Sequence, residues 1–258
     1  MSRPSTLKDL YGLIKKVDAS VGGGEGVEGV YGTLRRGSNK RVMEFLVDGA
    51  PARALLVDVG SGIGRFLFHA AYLGVPVLFG IENDVIKQTK AHAATALMAA
   101  SGVVAPPDSV GIGIPSVPRV SLIHRDVAYL ESLCPATHAF MAWQGFPERA
   151  KRAVGRLVAR SSIERFVVVQ HKLGRSQNDP AGIERSMADL EFGDVRLLDR
   201  FDVELVGGDR ETLVAYCFSR EVGPDVRTAV RLDELPAFVP DTSGVSTRRA
   251  KRQREEQA

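Results

Sequence analysis

The hydrophobic and polar positions of the first fifty residues follow the period of helices. Apolar residues recur every three or four positions from Thr6 to Val17, which predicts a helix with one buried face. A second helix is predicted from Asn39 to Val47, with Ser38 as its cap. The glycine cluster from Gly22 to Gly26 lies between the two and predicts a loop, because so many glycines disfavour a helix.

From Arg53 onward, short apolar runs alternate with helical segments. A run of about five consecutive apolar residues is typical of a strand that is buried on both faces. Strands are predicted at Ala54–Val59, Val75–Ile81, Val120–His124, His138–Trp143 and Arg165–Gln170. Helices are predicted at Arg65–Leu73, Val85–Ala100 and Pro147–Arg160. Such alternation predicts a mostly parallel sheet with helices on both faces.

The last two apolar runs depart from this alternation. Val195–Val206 and Glu211–Phe218 are separated by a turn of Gly207, Gly208 and Asp209, which predicts a hairpin and places an antiparallel strand in the sheet. We therefore predict an α/β fold in three parts. Residues 1–47 form a small N-terminal helical cap, residues 48–220 form the sheet domain, and residues 221–258 form an extension.

The amino-acid composition indicates the class of protein to which the chain belongs. The chain has 258 residues, of which 44% are hydrophobic and 25% charged, as expected for one large α/β domain. Its two cysteines, Cys134 and Cys217, lie far apart, which favours a reducing compartment. No apolar run approaches the roughly 18 residues of a membrane span, so we expect no membrane partner. The five histidines have no ligand spacing, and no metal is expected.

The positive charge is concentrated at the C-terminus. The net charge of the chain is +3, and residues 246–258 carry all of it, so the remainder is formally neutral. The basic residues of this tail are Arg248, Arg249, Lys251, Arg252 and Arg254. A polar segment of this kind is predicted to be disordered. It is interpreted as an import signal, as a contact for phosphate groups, or as a solvated tail without a role.

The strongest local signal is the run from Val57 to Gly64, where a strand enters a glycine turn and a helix leaves it. Glycines let a ligand approach the backbone closely, and the following helix N-terminus offers unpaired N–H groups. Glu82 closes the next strand, where a carboxylate can bind ribose hydroxyls. Asp126 and Val127 follow the third strand, where they can bind an adenine edge.

These features fit a nicotinamide dinucleotide or S-adenosylmethionine, and the spacing separates the two. The dinucleotide fingerprint is G-x-G-x-x-G, whereas the glycines here run G-x-G-x-G. Asp58 lies two residues ahead of the first glycine, where a carboxylate is unfavourable beside a pyrophosphate. It suits the positive ammonium and sulfonium groups of S-adenosylmethionine. The sequence therefore favours S-adenosylmethionine as cofactor and S-adenosylhomocysteine as product.

Three segments, Val30–Thr33, Val57–Phe66 and Phe79–Asn83, resemble the disruptor-of-telomeric-silencing family of histone methyltransferases, which lack a SET domain. The resemblance extends from about residue 30 to residue 218. It implies a Rossmann-like class I methyltransferase sheet and S-adenosylmethionine-dependent methylation of a lysine on the globular surface of histone H3. The expected partner is the nucleosome, the expected location is the nucleus, and the enzyme is expected to be a monomer.

The resemblance also assigns site residues. A loop that closes over the cofactor contains Tyr31 and Gly32. The methionine end is assigned to Asp58, Gly60, Ser61, Gly62, Ile63, Gly64 and Arg65. Glu82 is assigned to the ribose, and Asp126 with Val127 to the adenine.

The turn after the fourth strand departs from the family pattern. The family has an asparagine pair before phenylalanine, whereas this chain has Trp143 and Gln144 ahead of Phe146. Gln144 is the expected substitute beside the target amine, with Phe146 and Trp143 as aromatic walls; otherwise the two aromatics belong to the core.

Arginines recur along the predicted helix after this turn. Arg149, Arg152, Arg156 and Arg160 fall along one side of it. This arginine stripe is interpreted as a contact for nucleosomal DNA, together with the basic tail, or as a solvated helix face. The alternatives for the whole chain are a methyltransferase for another protein or for RNA, and a chromatin-docking module without catalysis.

Overall fold

The computed structural model describes residues 3–21, 34–106, 116–174, 179–206, 213–223 and 232–235. In chain order the helices and strands are α1 (Leu7–Val21), α2 (Arg36–Val47), β1 (Leu55–Val59), α3 (Arg65–Tyr72), β2 (Val77–Glu82), α4 (Val85–Ala100), β3 (Arg119–His124), β4 (His138–Ala142), α5 (Glu148–Ala159), β5 (Arg165–His171), α6 (Pro180–Asp189), β6 (Arg196–Val203) and β7 (Leu213–Ser219). Single 3₁₀ turns lie at Pro51–Arg53, Val127–Tyr129 and Leu232–Glu234.

The strands form one sheet in the order β3-β2-β1-β4-β5-β7-β6. The first five of these are parallel to one another, β7 is antiparallel to β5, and β6 is antiparallel to β7. The predicted α/β fold with a terminal antiparallel hairpin is therefore confirmed. The turn predicted at residues 207–209 and the glycine cluster at residues 22–26 lie outside the described residues.

The strand order reverses at β1, whose neighbours β2 and β4 lie on opposite sides of it. The crossover helices therefore cover opposite faces of the sheet. One core cluster contains buried side chains of α1, α2, α3 and α4, and the other contains those of α5 and α6. In such a sheet the carboxyl ends of the strands diverge at the reversal and open a crevice, which is where ligands of this architecture bind.

Local capping explains where several helices begin. The carboxylate of Asp84 accepts hydrogen bonds from the N–H groups of Ile86 (2.9 Å) and Lys87 (3.1 Å), which fixes the start of α4 at Val85. Asp179 caps α6 in the same way through Gly182 N–H (2.6 Å). No described helix is both long enough and apolar enough to cross a lipid bilayer.

The predicted cap of α2 was wrong. The helix begins at Arg36, two residues before Ser38, and its N-terminal flank Arg35 makes no side-chain cap. The Ser38 hydroxyl instead accepts a hydrogen bond from Glu204 N–H at 3.0 Å. A tertiary contact with the end of β6 therefore uses the hydroxyl that the sequence assigned to capping.

Candidate active site

A cavity of about 290 Å³ lies at the carboxyl ends of β1, β2, β3 and β4. We call it the switch-point cavity, because it lies where the strand order reverses. Residues that follow β1, β2, β3 and β4 line it, together with parts of α2, α3, α4 and α5. Those that bear on the argument are Leu34, Asn39, Asp58, Gly60, Ser61, Gly62, Ile63, Arg65, Phe66, Glu82, Asn83, Lys87, Arg125, Asp126, Val127, Phe140, Gln144, Phe146 and Arg149.

The glycine turn forms the floor of this cavity. Gly60, Gly62 and Gly64 all have positive φ angles, of 79°, 54° and 84°. The N–H groups of Gly60 and Ser61 donate to Ile81 O at 2.8 and 3.0 Å, which ties the turn to β2. A side chain at position 60 would also collide with the ring of Phe146, whose nearest atom lies 2.7 Å from the Cβ position. Glycine is therefore required there by conformation and by space.

Most of the other residues of the predicted turn line the cavity, and one does not. Ser61, Gly62, Ile63 and Arg65 line the cavity, and the Ser61 hydroxyl is buried without a hydrogen-bond partner among the described residues. Gly64 is the residue before α3 and does not line the cavity. Because glycine has no side chain, α3 begins without a side-chain cap, and its first N–H groups have no capping acceptor from that residue.

Glu82 holds the loops around the cavity. Its Oε2 accepts a hydrogen bond from Gly62 N–H (2.9 Å), and its Oε1 accepts from the N–H groups of Asn83 and Asp84 (both 3.0 Å). A carboxylate offers about four acceptor positions, so part of its capacity remains. The predicted ribose acceptor is thus also a structural residue that fixes the glycine turn to the end of β2.

Asp58 is a buried carboxyl group with no counter-charge among the described residues. It is 3% exposed, lines the cavity, and has no hydrogen bond or ion pair to any described residue. Burial, reinforced by the negative charge of Glu82, raises the pKa of Asp58 well above its ordinary value of 3.8. An isolated carboxylate in such a site is costly, and a cationic ligand would offset that cost.

The turn after β3 forms the far wall of the cavity. Asp126 caps the 3₁₀ turn that follows it, with Oδ1 accepting from Ala128 N–H at 2.9 Å. Its other oxygen lies 3.8 Å from a guanidinium nitrogen of Arg149. Val127 and Arg125 also line this wall.

The turn after β4 places Gln144 and Phe146 at the cavity and Trp143 away from it. Trp143 lies 4% exposed on the other face of the sheet, against Phe192, and does not line the cavity. Side chains alternate along a strand, so Trp143 continues the face of Met141 and packs in the core below α5. Gln144 and Phe146 do line the cavity. Both polar atoms of the Gln144 carboxamide are buried and have no partner among the described residues.

The sequence interpretation missed the wall formed by α2 and by stacked aromatics. Asn39 is 2% exposed and lines the cavity, and its Nδ2 donates to the Tyr11 hydroxyl at 2.8 Å. Phe66 and Phe140 stack with ring centroids 3.9 Å apart. Asn39 had a recognisable signal, because it is a polar residue on the apolar stripe of its helix.

A polar chain continues from this wall into the interior. The Tyr11 hydroxyl lies 2.7 Å from Nδ1 of His69, which is fully buried on α3. The Tyr11 hydroxyl thus bridges Asn39 and His69, and burial lowers the pKa of His69 to about 4. On the same side, Arg65 pairs with Asp18 of α1 at 2.8 Å. These contacts hold α1, α2 and α3 together around the cavity.

The arginine stripe lies along α5, but its two middle arginines bind acceptors within the protein. Arg152 donates to Asp189 O at 2.7 Å, and Arg156 pairs with Glu191 at 2.8 Å. Arg149 is different, since its side chain is 80% exposed and it lines the cavity. Tyr31, Gly32 and the basic tail lie outside the described residues.

The fold is shared with known methyltransferases. Magnesium protoporphyrin IX methyltransferase from Synechocystis PCC 6803 with bound SAM aligns over 84% of this chain and 92% of its own, with a TM-score of 0.52 and 15% identity. A putative RNA methyltransferase from Pyrococcus horikoshii aligns over 81% of this chain and 97% of its own, with a TM-score of 0.53 and 12% identity. No protein-family model matches the chain, and no curated protein sequence matches it.

These comparisons correct the family expected from the sequence. The structures similar to this chain are enzymes for a porphyrin and, putatively, for RNA, and no family model supports a histone methyltransferase. The assignment to the disruptor-of-telomeric-silencing family was therefore wrong. It rested on a glycine turn that many methyltransferases share and on residues 30–33, which lie outside the described residues. The chain has the Rossmann-like fold of class I S-adenosylmethionine-dependent methyltransferases, as the sequence predicted.

Proposed function

We propose that the chain binds S-adenosylmethionine in the switch-point cavity and transfers its methyl group to RNA. The single observation that carries the cofactor part is Asp58, a carboxyl group 3% exposed at the cavity with no cation paired to it among the described residues. A nucleotide phosphate would be repelled by this group, whereas the ammonium and sulfonium of S-adenosylmethionine match its charge.

The remaining lining residues fit the other parts of that cofactor. The uncapped N–H groups at the start of α3 suit the amino-acid carboxylate. The Ser61 hydroxyl is a buried polar group that a ligand would satisfy. The remaining acceptor capacity of Glu82 suits a ribose hydroxyl. Asp126 and Val127 offer a polar and an apolar contact for the adenine.

The chemistry asks mainly for alignment and for exclusion of water. When bound, the cofactor supplies a methyl carbon to the acceptor lone pair, its carbon–sulfur bond breaks with the electron pair left on sulfur, and the acceptor's proton passes to solvent. The protein's part is to hold the acceptor in line, which carries most of the rate. The stacked Phe66 and Phe140 and the ring of Phe146 keep the cavity apolar beside the glycine turn.

Two observations support RNA as the acceptor. Arg125 and Arg149 are exposed at the cavity rim, where cationic side chains can bind phosphates. One protein of similar fold is a putative RNA methyltransferase. The histone target, the nucleosome partner, the nuclear location and the monomeric state expected earlier followed from the family resemblance and form no part of the proposed function.

Calorimetry tests the cofactor site. The parent should bind S-adenosylmethionine and S-adenosylhomocysteine, and Asp58→Asn should weaken S-adenosylmethionine binding by about tenfold or more, because a charged contact is lost. Asp194→Asn is the matched control, since Asp194 is exposed and does not line the cavity. Absence of binding by the parent would remove the cofactor assignment, and equal affinities for all three proteins would remove the role of Asp58.

A transfer assay tests the acceptor. The protein is incubated with methyl-labelled S-adenosylmethionine and, separately, with total RNA, total protein or nucleosomes. Label in RNA supports the proposed acceptor. Label only in protein would favour the alternative of a protein methyltransferase.

A further inference from the structure

Asn39 is a buried polar residue of the cavity that has no role in the proposed cofactor contacts. It is 2% exposed, and it lines the switch-point cavity from α2. The proposed cofactor contacts all come from the turns after β1, β2 and β3. Asparagine is seldom buried this far unless its carboxamide is hydrogen-bonded or meets a ligand. The contacts of this carboxamide therefore determine what it can bind.

The hydrogen bonds of Asn39 fix the orientation of its carboxamide. Leu34 O is a carbonyl oxygen, which can only accept, so the atom that faces it at 3.3 Å is Nδ2. The same Nδ2 donates to the Tyr11 hydroxyl at 2.8 Å. Both N–H groups of the carboxamide are therefore used within the protein, and Oδ1 is the polar atom that Asn39 can offer to a ligand.

Oδ1 of Asn39 is open to the cavity. No described residue donates a hydrogen bond to it, and it is not one of the unpaired side-chain atoms that are closed to solvent, as both carboxamide atoms of Gln144 are. Because Asn39 is almost fully buried and lines the cavity, the cavity is the space that this oxygen faces. The α2 wall thus presents a neutral hydrogen-bond acceptor in a fixed orientation.

α2 lies on the half of the sheet away from the predicted ribose and adenine residues. Arg165 of β5 donates to Phe45 O of α2 at 3.1 Å, which places the helix beside β5. In the sheet, β4 and β5 lie on one side of β1, and β2 and β3 lie on the other. Glu82 and Asp126 follow β2 and β3. Asn39 therefore lies on the side of β1 that the cofactor contacts leave for the acceptor.

The walls beside Asn39 are apolar. Leu34, Phe66 and Phe140 line the cavity and belong to one core cluster, and Ala142, which also lines the cavity, packs against that cluster. The rings of Phe66 and Phe140 stack with centroids 3.9 Å apart. A flat ring with an N–H donor on its edge matches such a wall, because it adds apolar contact and supplies the partner that Oδ1 lacks.

Among unpaired nucleobases, this pattern favours those with a ring N–H. Uracil and guanine carry an N–H at the middle of the edge that pairs in a duplex, and proteins commonly bind unpaired RNA bases along this edge. Adenine and cytosine carry an unprotonated ring nitrogen there, and its lone pair would face the lone pairs of Oδ1. Because both N–H groups of Asn39 are already used, the carboxamide has no donor to offer that nitrogen.

We propose that Asn39 determines which base enters the cavity, with its Oδ1 accepting a hydrogen bond from the ring N–H of an unpaired uracil or guanine. The inference rests on the proposed function and adds the class of base. Tyr11 is a positioning residue, since its hydroxyl accepts from Nδ2 of Asn39 and is itself held by Nδ1 of His69 at 2.7 Å. No bond is made or broken at Asn39, and the methyl group goes to another atom of the bound nucleotide than the donating ring nitrogen.

Binding of short single-stranded RNA tests this role without catalysis. The probes are oligomers of uridine, 7-deazaguanosine, adenosine and cytidine, measured by fluorescence anisotropy. The parent should bind at least one of the first two about tenfold or more tightly than the last two, because a base without a ring N–H leaves the buried Oδ1 unpaired. Methylation of the ring nitrogen of the preferred base, which replaces its N–H, should remove the preference.

Two variants and two matched controls connect the preference to this wall. Asn39→Ala should abolish it, and Tyr11→Phe should weaken it, because the carboxamide loses one of its two interior acceptors. Both should keep the parent's affinity for S-adenosylhomocysteine. Gln170→Ala on β5 and Tyr72→Phe at the end of α3 do not line the cavity and should behave as the parent. In the labelled transfer assay, Tyr11→Phe should raise KM for RNA and leave kcat nearly unchanged, which a general loss of structure would not do.

Several results would overturn the inference. They are equal binding of all oligomers by the parent, a preference that survives methylation of the ring nitrogen or Asn39→Ala, and transfer of the label to that ring nitrogen. Loss of affinity for S-adenosylhomocysteine in Asn39→Ala with unchanged binding of RNA would also overturn it, because Asn39 would then bind the cofactor. A parent that prefers bases with a ring N–H but does not bind S-adenosylmethionine would instead remove the proposed function and leave base recognition by Asn39 intact. The two failures are therefore distinguishable.

Discussion

The residue with the clearest conflict between stability and binding is Asp58. An acid whose pKa rises on folding weakens the fold as the pH climbs above its unfolded pKa, and the loss is complete only above its folded pKa. The pKa of Asp58 is raised well above 3.8, chiefly by burial. At neutral pH the carboxyl group is therefore destabilising in the protein without ligand.

We predict that Asp58→Asn stabilises the ligand-free protein at pH 7 by at least about 1 kcal/mol, because a shift of one pKa unit corresponds to about that energy. The gain should shrink toward zero as the pH falls to the unfolded pKa of the aspartate. Urea unfolding at pH 7 and pH 4 measures both values, with Asp194→Asn as the control. A variant that is less stable than the parent at pH 7 would show that Asp58 has a stabilising partner.

His69 makes a pH-dependent contribution of the opposite sign. Burial lowers its pKa to about 4 from the ordinary 6.5, so the folded protein holds it neutral. Its contribution to stability is present above pH 6.5 and is lost as the pH falls through the folded pKa. The loss amounts to about 3 kcal/mol when complete. His138 has a pKa of about 4 as well, caused by burial and by the charge of Arg165, and adds to the same loss.

We predict that the unfolding free energy falls steeply between pH 6.5 and pH 4. His69→Gln should reduce the slope of this pH dependence by the contribution of one bound proton. The variant should also be less stable at pH 7, because glutamine fits the Tyr11 hydroxyl less well than the imidazole does. Denaturant unfolding over a pH series gives the slopes. Parallel curves for parent and variant would contradict the assignment.

At the scale of elements, two glycines in helices distinguish the effect of helix propensity on stability from the effect of packing. Gly155 of α5 faces the segment after α6, and a Cβ there would clash with the carbonyl of Leu190 and lie 2.9 Å from Phe192. Gly12 of α1 has nothing within 4 Å of its Cβ position. The same substitution therefore meets backbone at one site and open space at the other.

We predict that Gly155→Ala destabilises the protein by about 2 kcal/mol or more, because α5 must move away from backbone that cannot yield. Gly12→Ala should stabilise it by about 0.5–1 kcal/mol, since alanine has the higher helix propensity. Chemical unfolding of both variants beside the parent measures the two signs. A gain in both variants would mean that the contact between α5 and Leu190 is loose.

At the scale of the whole molecule, the N-terminal helices share a core with the sheet. Leu10 and Ile14 of α1 and Met43 of α2 lie in the same buried cluster as Leu56 of β1. Arg35, the residue before α2, is also tied to the far edge of the sheet, because its side chain pairs with Glu204 at 2.7 Å and its N–H donates to Glu204 O at 2.7 Å. The N-terminal helices should therefore unfold together with the sheet.

We predict one cooperative transition for the described fold. Leu10→Ala removes a fully buried side chain and should cost about 2–5 kcal/mol. The only tryptophan, Trp143, lies in the core on the opposite face of the sheet. Its fluorescence should report the same lowered midpoint as circular dichroism. An unchanged fluorescence midpoint with a lowered dichroism midpoint would show that α1 unfolds separately.

The sequence by itself predicted the order of the helices and strands except for α6, the parallel sheet with its antiparallel end, and the glycine turn. These features depend on local causes: periodicity, capping and backbone conformation. α4 illustrates this, since Asp84 caps its first turn and the helix runs from Val85 to Ala100 as predicted. The Rossmann-like fold followed from the order of these local signals.

The tertiary structure alone decided which side chains meet. Trp143 and Gln144 are neighbours in sequence, yet strand alternation places one in the core and the other at the cavity. The sequence does not show that Asp58 lacks a counter-charge, because this depends on which side chains of other segments pack against it. None of the described basic side chains does so. Arg156 is neutralised by Glu191, which approaches it from a distant part of the chain. Motifs are local, whereas charge pairing, burial and the acceptor site depend on contacts between distant segments, and this is why the family resemblance failed where the fold prediction succeeded.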